Sequence, residues 1–161
     1  MISIRPMTES DWSQVSRIYQ EGIETGEATF ETVVPDWERW NTNHLDVCRI
    51  VAVDASVIVG WAALSRVSQR GVYRGVAEVS LYVSADSRGK GIGKLLMQSL
   101  IDSSDACGIW TLQATVFPEN SASVRLHESC GFRVVGRRER IASQHGRWRD
   151  TALLERRSTR I

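Results

Sequence analysis

Ile2 to Met7 reads as a short strand, and Thr8 follows as a helix N-cap with Asp11 as its partner three residues on. Trp12, Val15, Tyr19, Gly22 and Ile23 then recur at helical spacing and form one apolar face. Gly22 and Gly26 read as stop signals, and a loop through Ala28, Thr29 and Phe30 leads to Pro35. A second helix is expected from Asp36, with Trp37, Trp40, His44 and Leu45 on one side as core anchors. Arg49 to Val53 and Val57 to Ser65 are apolar and rich in β-branched residues. They flank the turn Asp54-Ala55-Ser56 and predict a hairpin. Val76 to Val83 is the next strand. Ile92 to Ala106 predicts a helix with Ile92, Leu95, Leu96, Ser99 and Leu100 inward, ended by Gly108. Trp110 to Phe117 reads as a strand and Asn120 to Cys130 as a short helix. Gly131 stands where a left-handed C-cap belongs. Phe132 to Ala142 and Trp148 to Leu154 close the chain as two strands.

The resulting order is β-α-α-β-β-β-α-β-α-β-β. The strand-helix-strand unit over 76–117 requires a parallel pair, since a helix must carry the chain back to the starting edge. This predicts a single α/β (α+β) domain over 1–161 with a mixed sheet. A chain of 161 residues buries a core of useful size without disulfides or metals.

Composition narrows the function. With 24% charged residues and a net charge of +1, the chain is a poor match to a nucleic-acid binder that relies on phosphate neutralisation. Cys48, Cys107 and Cys130 are too widely spaced for a zinc motif, and their odd number argues against a disulfide framework. They read as reduced thiols, and no metal is expected. No run of about 18 apolar residues is present to span a membrane. The opening Met1 to Pro6 does not resemble a signal peptide, so the expected location is cytoplasmic.

The chemistry concentrates at Arg88-Gly89-Lys90-Gly91-Ile92-Gly93, between a strand and a helix. Glycines let the backbone turn sharply and approach a ligand. The first N–H groups of the helix have no internal partner and carry the positive end of its dipole. A diphosphate suits that position, with Arg88, Lys90 and Lys94 adding charge. The spacing fits neither the dinucleotide G-x-G-x-x-G nor a Walker A loop. On the preceding strand, Glu78, Ser80 and Tyr82 share one face. A carboxylate inside an otherwise apolar strand is costly unless paired, which makes Glu78 a candidate base or a structural ion-pair partner. Arg74, at the mouth of that strand, has the planar fork that suits a substrate carboxylate.

Three features together resemble the GNAT superfamily of N-acetyltransferases over essentially the whole chain: Glu78 to Val83 before the turn, Asn120-x-x-Ser123-x-x-Leu126-His127-Glu128-x-x-Gly131-Phe132 after the next strand, and Ile4-Arg5-Pro6 running into a helix. Arg74-x-x-x-Glu78-x-Ser80-x-Tyr82-Val83, Leu126-His127-Glu128 and Gly146-Arg147-Trp148-x-Asp150 resemble the phosphinothricin and methionine sulfoximine acetyltransferases within it. The resemblance implies a centrally splayed sheet of about seven strands flanked by about four helices, with acetyl-CoA as co-substrate in the splay. Its pantetheine arm would pair with Leu81, Tyr82 and Val83. Its pyrophosphate would lie on Arg88 to Lys94, including Ile92 and Gly93, and Asn120 and Ser123 would flank the arm. Asn120 also suits an N-cap, and the two roles are compatible. The oxyanion donor is expected at the backbone N–H of Val83 or a neighbour.

The tyrosine that many GNAT enzymes use on the leaving thiolate is absent. His127 stands nearby as its substitute or as a packing residue. The resemblance implies a substrate site at Phe30, Arg74, Gly75, Val76 and Glu78, a small-molecule amine acceptor and a homodimer. The expected reaction is N-acetylation of a small amino acid or analogue by direct attack in a ternary complex. The alternatives are a protein N-terminus, lysine, polyamine or antibiotic as acceptor, or a CoA-binding module without turnover.

Overall fold

The computed structural model describes residues 1–161. The elements run β1 (Ile2–Pro6), α1 (Trp12–Glu24), α2 (Trp37–Asn43), β2 (Ile50–Asp54), β3 (Val57–Arg66), β4 (Val76–Val83), α3 (Ile92–Ala106), β5 (Thr111–Val116), α4 (Ser121–Ser129), β6 (Arg133–Gln144) and β7 (Arg147–Arg157). The strands form one sheet in the order β1-β2-β3-β4-β5-β7-β6. Every neighbouring pair is antiparallel except β4 with β5.

That one parallel pair is short. β4 meets β5 at Val76–Thr111, Ala77–Leu112 and Glu78–Gln113, and no further. Beyond Glu78 the two strands diverge, while β4 stays paired with β3 as far as Gly60–Val83. The sheet therefore opens into a wedge at its centre, as the resemblance implies.

Alternation along β4 sends its side chains to two cores. Ala77, Val79, Leu81 and Val83 join the cluster beneath α3, built on Ile92, Leu96, Met97, Leu100 and Ile101. Tyr82 lies on the opposite face, in an aromatic cluster with Trp40 and Trp61 that Trp12, Tyr19 and Trp37 extend. Of the two tryptophans expected as anchors, Trp40 is fully buried and Trp37 is half-buried against the same cluster; Trp61 is a further fully buried one.

Four local expectations need correction. Gly22 does not stop α1, which continues to Glu24. It is glycine because Tyr82 packs against it: a Cβ there would lie 2.5 Å from the Tyr82 ring. On α3, Leu95 is 38% exposed, and the buried stripe instead takes in Met97, Ile101 and Ser104. α2 ends at Asn43, so His44 and Leu45 lie outside it; His44 is extended, with its ring stacked on Trp40 at 4.1 Å. The last hairpin is longer than its pattern suggests, with a turn at His145 and Gly146 in left-handed conformations. Register shifts at Val134–Gly136 and Arg138–Ala142 break the period-two signal of β6 and hide its length.

Candidate active site

A cavity of about 610 Å³ occupies the wedge. Its lining runs from the turn before α3, along β4, to the loop after α1 and the N-terminal end of α4. The two ends of this cavity are built differently.

At the α3 end the backbone supplies the chemistry. Gly89 and Gly91 have φ of 76° and 81°, a region that disfavours side chains, so glycine is required at both. Gly91 is the N-cap of α3 and no side chain caps it. The first backbone bond of the helix runs from Leu95 N–H to Gly91 O, which leaves the N–H groups of Ile92, Gly93 and Lys94 without a helical partner. Arg88, Gly89, Gly91, Ile92 and Gly93 line the cavity, whereas Lys90 and Lys94 are exposed beside it.

Along β4 the open edge is also backbone. Ser84 N–H donates to Val59 O at 2.9 Å, on the β3 side. By alternation, Val79, Leu81 and Val83 turn their N–H and C=O groups toward the wedge. The Val83 carbonyl meets only the Arg88 guanidinium, whose Nε donates to it at 3.3 Å.

The other end is built from side chains. Glu78 sits where the strands part and accepts from Gln113 Nε2 at 2.9 Å and Thr115 Oγ1 at 3.2 Å. Its partners are therefore neutral donors on β5, and no arginine pairs with it. Phe30 lines the cavity with its ring edge-on to Phe117, centroids 4.9 Å apart. Asn120 caps α4, its Oδ1 accepting from Ser123 N–H at 3.2 Å, and its Nδ2 donates to Glu27 O. One residue thus holds both the helix and the loop opposite.

His127 and Ser123 also line the cavity. His127 Nδ1 lies 2.7 Å from the Ser123 carbonyl, so Nδ1 carries the proton and Nε2 is the acceptor. Burial holds the imidazole pKa below its usual value, against a smaller opposing pull from the Ser123 carbonyl. The ring packs edge-on against Phe132 at 5.1 Å. Burial likewise raises the pKa of the Tyr82 phenol.

Arg74, Gly75 and Val76 do not line the cavity. They lie at the end of β4 that is still paired with β5, before the wedge opens. The Arg74 guanidinium rests over Trp110 at 5.4 Å and donates to Gly71 O at 3.2 Å.

Sequence reading missed other residues lining this end of the cavity: Glu27, Ala28, Thr29 and Glu31 on the loop, and Thr115 on β5. One signal for the β5 residues existed. Thr111, Gln113 and Thr115 alternate with Leu112, Ala114 and Val116, which marks a polar face directed to one side of the sheet.

With this geometry in view, its relatives are informative. A model of the Acetyltransferase (GNAT) family matches residues 10–132. The phosphinothricin N-acetyltransferase of Alcaligenes faecalis is 32% identical over 96% of this chain and 81% of that enzyme. The L-methionine sulfoximine/L-methionine sulfone acetyltransferase of Pseudomonas paraeruginosa is 35% identical over 66% of this chain and 62% of that enzyme. Among solved structures, a GNAT superfamily phosphinothricin acetyltransferase from Sinorhizobium meliloti in complex with AcCoA superposes with a TM-score of 0.87 at 31% identity, covering 97% of this chain and 88% of that one. The fold that carries this wedge-split sheet is thus shared with a solved acetyltransferase. The chain belongs to the acetyltransferase (GNAT) family and is an N-acetyltransferase.

Proposed function

We propose that the protein acetylates the primary amine of a small amino acid or amino-acid analogue of the phosphinothricin or methionine sulfoximine type, with acetyl-CoA as co-substrate. The observation that carries this reading is the wedge, which joins a strand edge and a free helix N-terminus in one continuous cavity.

The residues fit the co-substrate. The N–H and C=O groups of Leu81 and Val83 offer a strand-like partner for the two amides of a pantetheine arm. The N–H groups of Ile92 and Gly93, with the Gly89–Gly91 turn and Arg88, suit a diphosphate. Tyr82 offers the arm neither ring nor backbone: its ring is committed to the aromatic core and its N–H and C=O face Trp61 on β3. Acetyl-CoA supplies an activated acetyl group whose carbonyl carbon accepts the amine and whose thiolate departs.

Every other task falls to this chain. An amine arrives as an ammonium and must lose a proton to attack. We assign that step to Glu78, directly or through one water, and its two hydrogen bonds fix the carboxylate at the apex of the wedge. Charge on the thioester oxygen falls to the N–H of Val83 or a neighbour on β4, whichever the pantetheine amides leave free. Transfer is direct, because none of the three cysteines lines the cavity to accept the acetyl group first. We assign His127 to packing rather than to protonating the thiolate. A buried neutral imidazole whose only proton is bonded to Ser123 accepts protons and does not give one up.

A second reading has its own support. Glu27, Glu31 and Glu78 line the cavity, and its one basic lining residue besides His127 is Arg88, at the diphosphate end. That charge pattern favours an acceptor with no carboxylate, such as a polyamine or a peptide N-terminus. Incubation with acetyl-CoA and a panel of amines, following free thiol, separates the two. Turnover with phosphinothricin, methionine sulfoximine or another free amino acid supports the first reading. Turnover confined to polyamines or peptides supports the second, and no thiol release from any amine overturns both.

A further inference from the structure

Arg149 lies outside the cavity, yet its side chain is 4% exposed. An arginine that deep must be satisfied by fixed partners, because an unpaired buried cation is severely penalised. Two of its partners, Gly26 and Glu27, lie on one segment; the others are Gln144 and, 3.5 Å from Nη2, the Glu119 carboxylate. Nη1 donates to Gly26 O at 2.6 Å and to Gln144 Oε1 at 2.7 Å. Nη2 donates to the Glu27 carboxylate at 2.9 Å. Gln144 passes the link on, its Nε2 donating to Thr29 O at 2.8 Å. The flat face of the guanidinium lies 3.6 Å from the centre of the Phe117 ring, and Phe117 meets Phe30 edge-on.

The segment held in this way, residues 26–31, has no helix or strand of its own. Apart from Gly26, all of it lines the acceptor end of the cavity. Chain connectivity therefore fixes little of its shape, and the planar fork of one arginine fixes much of it.

We propose that Arg149, relayed through Gln144 and Phe117, is the positioning residue that sets the acceptor site, by holding the 26–31 loop against the wedge. The inference rests on reading that end of the cavity as the acceptor site. Arg149 touches no reacting atom in this scheme. Its loss loosens the wall that the amine binds against and leaves the acetyl-CoA end, built on β4 and α3, unchanged.

The test pairs a structural readout with a kinetic one, using Arg149→Lys, Arg149→Met and Gln144→Met with phosphinothricin as acceptor. Lysine keeps the charge but cannot bridge Gly26, Glu27 and Gln144 at once. Amide hydrogen exchange at residues 26–31 should quicken in all three variants, by roughly tenfold for each hydrogen bond's worth of lost restraint. The KM for phosphinothricin should rise about tenfold or more with Arg149→Lys, while the KM for acetyl-CoA stays within about twofold. A purely structural role would lower melting temperature and active fraction together without separating the two KM values. Unchanged exchange at 26–31 overturns the anchoring. Faster exchange with an unchanged phosphinothricin KM overturns the link to acceptor binding. A wild-type protein that does not acetylate phosphinothricin, but whose loop still loosens on losing Arg149, supports the anchor and refutes only that acceptor. Should the Arg149 variants not fold, Gln144→Met alone removes the Thr29 bond and decides the matter by the same readings.

Discussion

The two ends of the cavity follow different construction rules. The α3 end is made of peptide groups: two glycines at positive φ, an uncapped helix and the free edge of β4. The β5 end is made of side chains brought from separate elements, namely Phe30 and its loop, Glu78 on β4, Gln113 with Thr115 on β5, and Asn120 before α4, with Gln144 of β6 and Arg149 of β7 supporting them from outside the cavity. In the proposed reading, backbone geometry recognises what every acyl-CoA has in common, and side chains recognise what differs between amines. A family can therefore keep one end and vary the other.

The sharpest way to break this division is Glu78→Gln. The amide preserves shape and removes the proton acceptor, so kcat should fall by about 10²- to 10⁴-fold. Coenzyme A affinity, measured by calorimetry, should stay the same. Unchanged turnover would remove Glu78 from proton transfer.

The backbone end is probed by Gly91→Ala. A Cβ at φ 81° is strained, at a cost of roughly 1–2 kcal/mol, and straining the turn misplaces the N–H groups of Ile92 and Gly93. The KM for acetyl-CoA should rise about tenfold with little change in acceptor KM. A reversed pattern in steady-state kinetics would show that the two ends do not divide the work in this way.

The smallest effect concerns pH. Burial lowers the pKa of both His44 and His127 below the ordinary value of 6.5. Their unfolded forms therefore take up protons first as pH falls through that value. Stability contributed by the neutral rings is present above 6.5 and is lost below it, until the folded form is protonated too. Melting temperature followed from about pH 8 to about pH 5 should decline on the acid side, and His127→Asn should flatten part of that decline. A slope unaltered by the substitution would place the titration elsewhere.

The same contrast explains what could be read from the sequence. Elements whose signal is local were legible: β4 and α3 fall on their expected boundaries, and Asn120 and Gly131 cap α4 as their residue types suggest. The α3 turn was legible because glycines announce unusual backbone. Errors arose where a distant partner decides. Gly22 looked like a stop because nothing nearby reveals Tyr82, sixty residues away. Arg74 shows its chemistry in the sequence, but its place relative to the wedge, which begins four residues later at Glu78, depends on the distant strand β5. Arg149 carried no local signal at all, since its contacts reach back more than 100 residues.

The three-residue seam between β4 and β5 has a mechanical consequence. The sheet is two half-sheets, β1 to β4 and β5 to β7, tacked together at one end like a partly closed zipper. A molecule that inserts its own amides into the opening supplies the missing teeth. Its binding energy is then also cohesion between the halves: at a concentration of 100 times its Kd, it adds about 2.7 kcal/mol to folding stability. On the proposed pose, the protein completes its own architecture each time it loads the group it is to transfer.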